Sequence, residues 1–202
     1  MALISKVHIA NMALGNLGAT STIETFTEAS AEAQQADLWY DYSRLQALEA
    51  FNWSFARKRL TLASHGDDPP DIWGYRYQYP ADCVIIRKLQ NPITADDEAD
   101  AIPYEIEVDD AKETKTILTN LEDAVAIYTF DLETTALFTP LFVELLASVL
   151  AYHMAMSITG DKEIRRAMQE AYSILLLQAP TSNANEQVMK PIREAEWIRG
   201  RG

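Results

Sequence analysis

Apolar residues recur three and four positions apart near the start of the chain. Leu3, Val7, Ala10, Leu14 and Leu17 fall on one stripe, which predicts a helix over residues 3–17. Gly18 is a natural stop, because glycine accepts the left-handed conformation that follows a helix. Thr25 with Glu28 three residues later has the form of a capping box, so the next helix is expected from about Glu28 to Phe51. Its inner face would use Ala33, Ala36, Tyr40, Ala47, Leu48 and Phe51, and the short alanines would let helices approach closely.

The period changes at Asn52. Tyr75, Tyr77 and Tyr79 alternate with Arg76 and Gln78, and Tyr104, Ile106 and Val108 alternate with Glu105 and Glu107. A period of two predicts strands. Cys83–Leu89, Thr116–Thr119 and Ala124–Phe130 are also strand-like, with a turn at 120–123. Val125, Ala126, Ile127 and Tyr128 suggest a strand covered on both faces. His65–Asp71 holds Gly66, Pro69 and Pro70 and reads as a loop, as does the acidic stretch 91–101.

Helical signals return with Thr139 as N-cap and Pro140 at the first position. This helix should reach about Thr159 and stop at Gly160. Asp161 then caps a last helix with the stripe Ile164, Met168, Ala171 and Leu175, and Pro180 is expected to end it. The short link at Gly160 forces an antiparallel hairpin. The expected fold is α+β: a discontinuous four-helix bundle of two helical hairpins (1–52 and 138–179), an inserted antiparallel β lobe (53–137) and an extended C-terminal tail (180–202).

Charge narrows the range of functions. Thirty acidic and seventeen basic residues give a net charge of −13. Residues 91–140 carry −11 of it, whereas residues 51–90 carry +2. Such a chain should not cling to a phosphate backbone, and DNA passing nearby would slide along it. The long apolar run 141–158 contains Glu144 and His153, and is expected to be a buried helix rather than a membrane span. No secretory signal is visible at the start.

No familiar catalytic signature occurs: no glycine-rich phosphate loop, no nucleophile elbow and no paired zinc-binding histidines. His8, His65 and His153 are far apart in sequence, and a single Cys83 excludes an intrachain disulfide and a multi-cysteine zinc site. Neither a cofactor nor a metal is expected, and the acidic run Asp96, Asp97, Glu98 and Asp100 reads as a solvated loop. Arg57, Lys58 and Arg59 form the compact basic cluster. It is either a solvated strand end or a contact for an acidic partner such as the acidic segment of a neighbouring copy. In the tail, Val188, Met189, Ile192, Trp197 and Ile198 stand beside Lys190, Arg193, Arg199 and Arg201. An isolated tryptophan flanked by arginine has the composition of an interface anchor. Met189, Ile192, Trp197, Ile198 and Arg199 are therefore candidate partner-binding residues.

A longer series of residues has a family likeness. It starts with Ala10-Asn11-Met12-Ala13-Leu14, then Leu17-Gly18 and Ile23, then Ser30, Glu32 and Ala33, followed by Tyr42 and Arg44. It continues with Phe51-Asn52-Trp53-Ser54-Phe55-Ala56, Arg59, and Trp73-Gly74-Tyr75 running on through Tyr77, Tyr79-Pro80-Ala81-Asp82 and Cys83-Val84. This series resembles the tail tubular protein A family, the head-to-tail adaptors of short-tailed bacteriophages. The likeness is strongest over residues 7–89; beyond them it rests on element order and length.

The resemblance implies a structural protein of the virion tail, made in the host cytoplasm, with no enzymatic activity. It implies a ring of subunits, usually twelve, between the portal protein and the tail nozzle (tail tubular protein B). The genome would pass through the centre without specific binding on its way to ejection, and no membrane would be contacted. A second reading is a tail-associated polysaccharide hydrolase, an activity reported for some members, although no motif here maps to it.

Overall fold

The computed structural model describes residues 4–70, 72–91, 101–109 and 112–185. Among these residues it is a mixed α+β fold with four α-helices and two small antiparallel sheets. Helix α1 spans Lys6–Asn16 and α2 spans Ala31–Ala50; α3 spans Pro140–Ile158 and α4 spans Lys162–Asn185. Six strands lie between α2 and α3: β1 Arg57–Thr61, β2 Tyr75–Gln78, β3 Cys83–Leu89, β4 Tyr104–Asp109, β5 Thr114–Thr119 and β6 Val125–Phe130. They form one sheet ordered β1-β6-β3 and another ordered β2-β5-β4.

The helix ends follow capping chemistry. Ser5 caps α1 by accepting from the His8 N–H, and Gly18 takes φ +74° just beyond its end. The cap of α2 is Ser30, which accepts from the Ala33 N–H at 3.2 Å, rather than Thr25. Glu28 still does half of what a capping box does, since its carboxylate accepts from the backbone N–H groups of Glu24 and Thr25. That arrangement fixes the entry loop, and α2 starts one turn later than the Thr25 signal implied. Thr139 caps α3 with Pro140 at its first position. Gly160 at φ +67° reverses the chain, and Asp161 accepts from the Glu163 N–H at the start of α4.

Helix α3 is apolar almost all round because it touches α1, α2 and α4. By length and composition it could cross a membrane, yet most of it is buried inside the protein. Phe142, Leu145, Leu146, Leu150 and Met154 are fully enclosed, facing Ile9 and Leu14 of α1 and Ala33, Ala36, Ala47 and Leu48 of α2. Trp53, just past α2, seals this core. Its ring meets Phe51 and Phe142 edge-on, and its indole N–H donates to the Ala47 carbonyl at 2.9 Å.

A second core lies among the strands. Leu62, Tyr77, Ile86, Leu89, Ile117, Ala126 and Tyr128 join side chains from both sheets, and Phe130 packs against both cores. Central strand β6 is buried on both faces, as its unbroken apolar run implied.

Two arginines tie the strands to α2. Arg87 on β3 donates from Nη2 to the carbonyls of Leu48, Glu49 and Phe51, and from Nε to Thr129 Oγ1. Those carbonyls belong to the end of α2, where no helical partner exists. Arg44 is buried within α2; it donates to the Asp131 carboxylate and to the Leu132 carbonyl, at the point where the chain returns from β6.

Pro180 does not end α4. The helix continues to Asn185 with Pro180 inside it, so residues 180–185 belong to the helix rather than to a tail. A proline here forfeits the bond to the Leu176 carbonyl. Contacts on both sides of it outweigh that loss: Ala179 is fully buried, and Asn183 Oδ1 accepts from the Ser54 N–H at 2.8 Å.

Two substitutions test these contacts. Arg87→Ala leaves the α2 carbonyls without their donor and should lower unfolding free energy by about 2–4 kcal/mol in urea titrations. Arg87→Lys should recover only part, since a single ammonium cannot reach the α2 carbonyls and the Thr129 hydroxyl together as the separate Nη2 and Nε of the planar guanidinium do. Pro180→Ala should raise stability by about 1–3 kcal/mol, because the helix already continues through this position.

Candidate partner-binding surfaces

The basic cluster predicted from sequence forms β1. Among the described residues, β1 is paired along one edge, to β6. Its three charges do not act together. Lys58 sits 3.9 Å above the Phe130 ring and 2.6 Å from Asp82 Oδ2, and the other Asp82 oxygen accepts from the Tyr128 hydroxyl. The Lys58 ammonium holds the Asp82 carboxyl below the usual carboxylate range. Lys58 is thus engaged within the subunit, and Arg57 and Arg59 alternate to the opposite face of the strand. The other predicted contacts, Met189, Ile192, Trp197, Ile198 and Arg199, lie outside the described residues, as does most of the acidic loop 91–101.

Opposite in sign is strand β4, at the edge of the other sheet. Glu105 and Glu107 alternate along it with the exposed apolar residues Ile106 and Val108. Glu105 accepts from the Trp73 indole N–H at 3.2 Å. The two sheets therefore end in strand edges of unlike charge.

A third surface was not identified from the sequence. Leu38, Tyr42 and Leu45 recur along α2 at helical spacing, but they point outward, with Leu38 62% and Tyr42 57% exposed. Beside them Trp39 stacks on His153 of α3 at 4.9 Å, and Tyr42 and Tyr152 meet the same imidazole edge-on. Arg165 of α4 lies over the Tyr152 ring and donates to its hydroxyl. Tryptophan, tyrosine and arginine gathered at a half-exposed site are the residues that dominate protein interfaces. Its sequence signal is a second apolar stripe on α2, offset from the buried one.

Along α4, Ile174 is exposed at a groove of about 700 Å³ between α1, α3 and α4, and Leu177 is exposed on the same helix. His8 and Glu144 are among the residues that line the groove. Cys83 is half-buried, and burial pushes its thiol up to about 11, far from a reactive thiolate at neutral pH.

Comparison of the chain with protein-family models returns no match, and comparison with curated proteins returns none either.

The aromatic surface carries a pH signature. Burial, and then the charge of Arg165, hold the His153 imidazole below its ordinary value of 6.5. The unfolded chain then takes up a proton more readily than the folded one. Stability from this group is present above about pH 6.5 and declines as pH falls toward the folded value. Unfolding free energy measured between about pH 7.5 and 5.5 should fall with pH, and His153→Phe should flatten that slope.

Proposed function

We propose that this chain is a structural head-to-tail adaptor of a short-tailed bacteriophage, working as a ring of subunits between the portal and the tail nozzle. On this reading the four helices form a discontinuous bundle, the strands form a lobe inserted into it, and the chain after α4 is an extended tail. The genome passes through the ring, and an acidic protein suits that passage because it offers DNA little to adhere to.

The observation that carries the reading is the pair of unlike faces on one subunit. The aromatic surface of α2 and α3 is distinct from the apolar rim of α4, and the basic edge β1 is distinct from the acidic edge β4. Unlike faces that meet head to tail generate a ring when the rotation closes. Charged edges would steer neighbours into register and would weaken as salt rises. The residue series that resembles tail tubular protein A runs through the parts that build this arrangement. Trp53 seals the helical core, Arg44 ties α2 to the returning chain, and Tyr42 lies in the aromatic surface.

Imaging the purified chain with its portal ring tests the proposal. The expected result is a closed ring of subunits, twelvefold, on the portal; a portal with no bound chain, or with a single copy, would refute it. Tyr42→Asp should weaken attachment or ring closure by about tenfold or more while leaving the unfolding midpoint nearly unchanged. Removing residues 186–202 leaves α4 intact and should weaken portal attachment, with Trp197→Ala alone costing about 2 kcal/mol. Full-strength attachment by the truncated chain would exclude the tail as the dock.

A further inference from the structure

The four outer strands of the two sheets do not have equivalent edges. Beyond β2 lies the chain that follows β1: the His65 N–H donates to the Arg76 carbonyl, the Gln78 N–H donates to the Ala63 carbonyl, and Ser64 pairs with Tyr77. Strand β3 carries two register shifts along β6, an irregularity that blunts an edge. By contrast, β1 and β4 run in unbroken register with their neighbours over five and six residues. Among the described residues β1 pairs with β6 alone and β4 with β5 alone, so each strand turns a row of backbone N–H and C=O groups outward.

The side chains on these two edges alternate in step. On β1, Arg57 and Arg59 share one face, and Lys58 and Leu60 share the other. On β4, Glu105 and Glu107 share one face, and Ile106 and Val108 the other. Leu60, Ile106 and Val108 are exposed within their strands, and aliphatic side chains exposed along an open edge mark a strand that another strand can extend. Charge then selects which strand. Two β1 edges would set arginine against arginine, and two β4 edges would set glutamate against glutamate; like charges directly opposite destabilise a sheet. With β1 beside β4, Arg57 and Arg59 come onto the face of Glu105 and Glu107, and Leu60 comes onto the face of Ile106 and Val108. A slip of one residue would set the arginines against Ile106 and Val108, so the alternation also fixes the register.

From this juxtaposition we infer that β1 of one copy adds to the edge of β4 on a second copy, joining the sheets of neighbouring subunits through main-chain hydrogen bonds. The inference rests on the ring reading above and specifies how adjacent subunits meet. Strand addition supplies affinity through the backbone, and the Arg–Glu and aliphatic pairs supply the choice of partner. The contact joins unlike edges, so each subunit keeps one edge of each kind for its two neighbours, as a closed ring requires. Lys58 is held by Asp82 within its own subunit and is not needed for the pairing.

The test uses the full chain assembled on its portal ring. In a Cys83→Ser background, Leu60→Cys and Ile106→Cys are combined in one chain, and the assembly is treated with a short bismaleimide. A ladder of covalently linked multimers is expected, whereas either single-cysteine chain should stay unlinked. Reversing Arg57 and Arg59 to Glu should weaken ring formation about tenfold or more, as should reversing Glu105 and Glu107 to Arg. All four reversals in one chain should restore it, a rescue that a contact elsewhere on the subunit would not give. Should the cysteine pair disturb folding, the charge reversals and their rescue decide alone. Rings that form on the portal but give no linked multimers, or that ignore both reversals, would overturn strand addition and leave the ring reading standing. Chains that form no ring on the portal would overturn both.

Discussion

The end of α2 is the constraint around which the subunit is arranged. There the chain leaves the helices for the strands, and the last helical carbonyls lose their partners. Arg87, from a strand nearly forty residues further on, supplies the missing donors to Leu48, Glu49 and Phe51. One turn earlier on the same helix, Arg44 receives the chain as it comes back at Asp131 and Leu132. Both crossings are thus fastened to α2 by guanidinium groups, whose fork geometry allows several bonds at once. Phe130, packed against both cores, fills the space between the two fastenings with apolar contact.

Fixing the strands to α2 also determines which faces stay open. Helix α3 is enclosed by its three neighbours, and β6 is enclosed by β1 and β3. What remains outside is the far side of α2, the rim of α4 and the outer strand edges. Those are the positions with exposed leucine, isoleucine and tyrosine, and with unlike charge. On the adaptor proposal these open faces, with Leu38 and Leu177 exposed on them, would be covered by neighbouring copies, while the interior holds the two cores together.

Much of the fold was legible because it is written in local chemistry. Thr139-Pro140, Gly160-Asp161 and the alternating tyrosines at 75, 77 and 79 specify their elements without help from distant residues. Where the reading failed, a tertiary contact had overridden a local signal. Pro180 should stop a helix, but Ala179 and Asn183 are held against distant partners. Thr25 and Glu28 mimic a cap, yet Ser30 has the better position. Arg57–Arg59 looked like one basic cluster until Asp82 claimed Lys58. The candidate surfaces were harder still. The aromatic group needs α2, α3 and α4 in place before Trp39, Tyr152, His153 and Arg165 can meet.

Hydrogen exchange of the chain, alone and mixed with a portal ring, tests the proposed assembly most directly. The account predicts added protection at the exposed stripe of α2 around residues 38–45 and along the rim of α4, with α3 equally protected in both states. Exchange that is unchanged at α2 and α4 on binding, with protection gained only elsewhere, would contradict it.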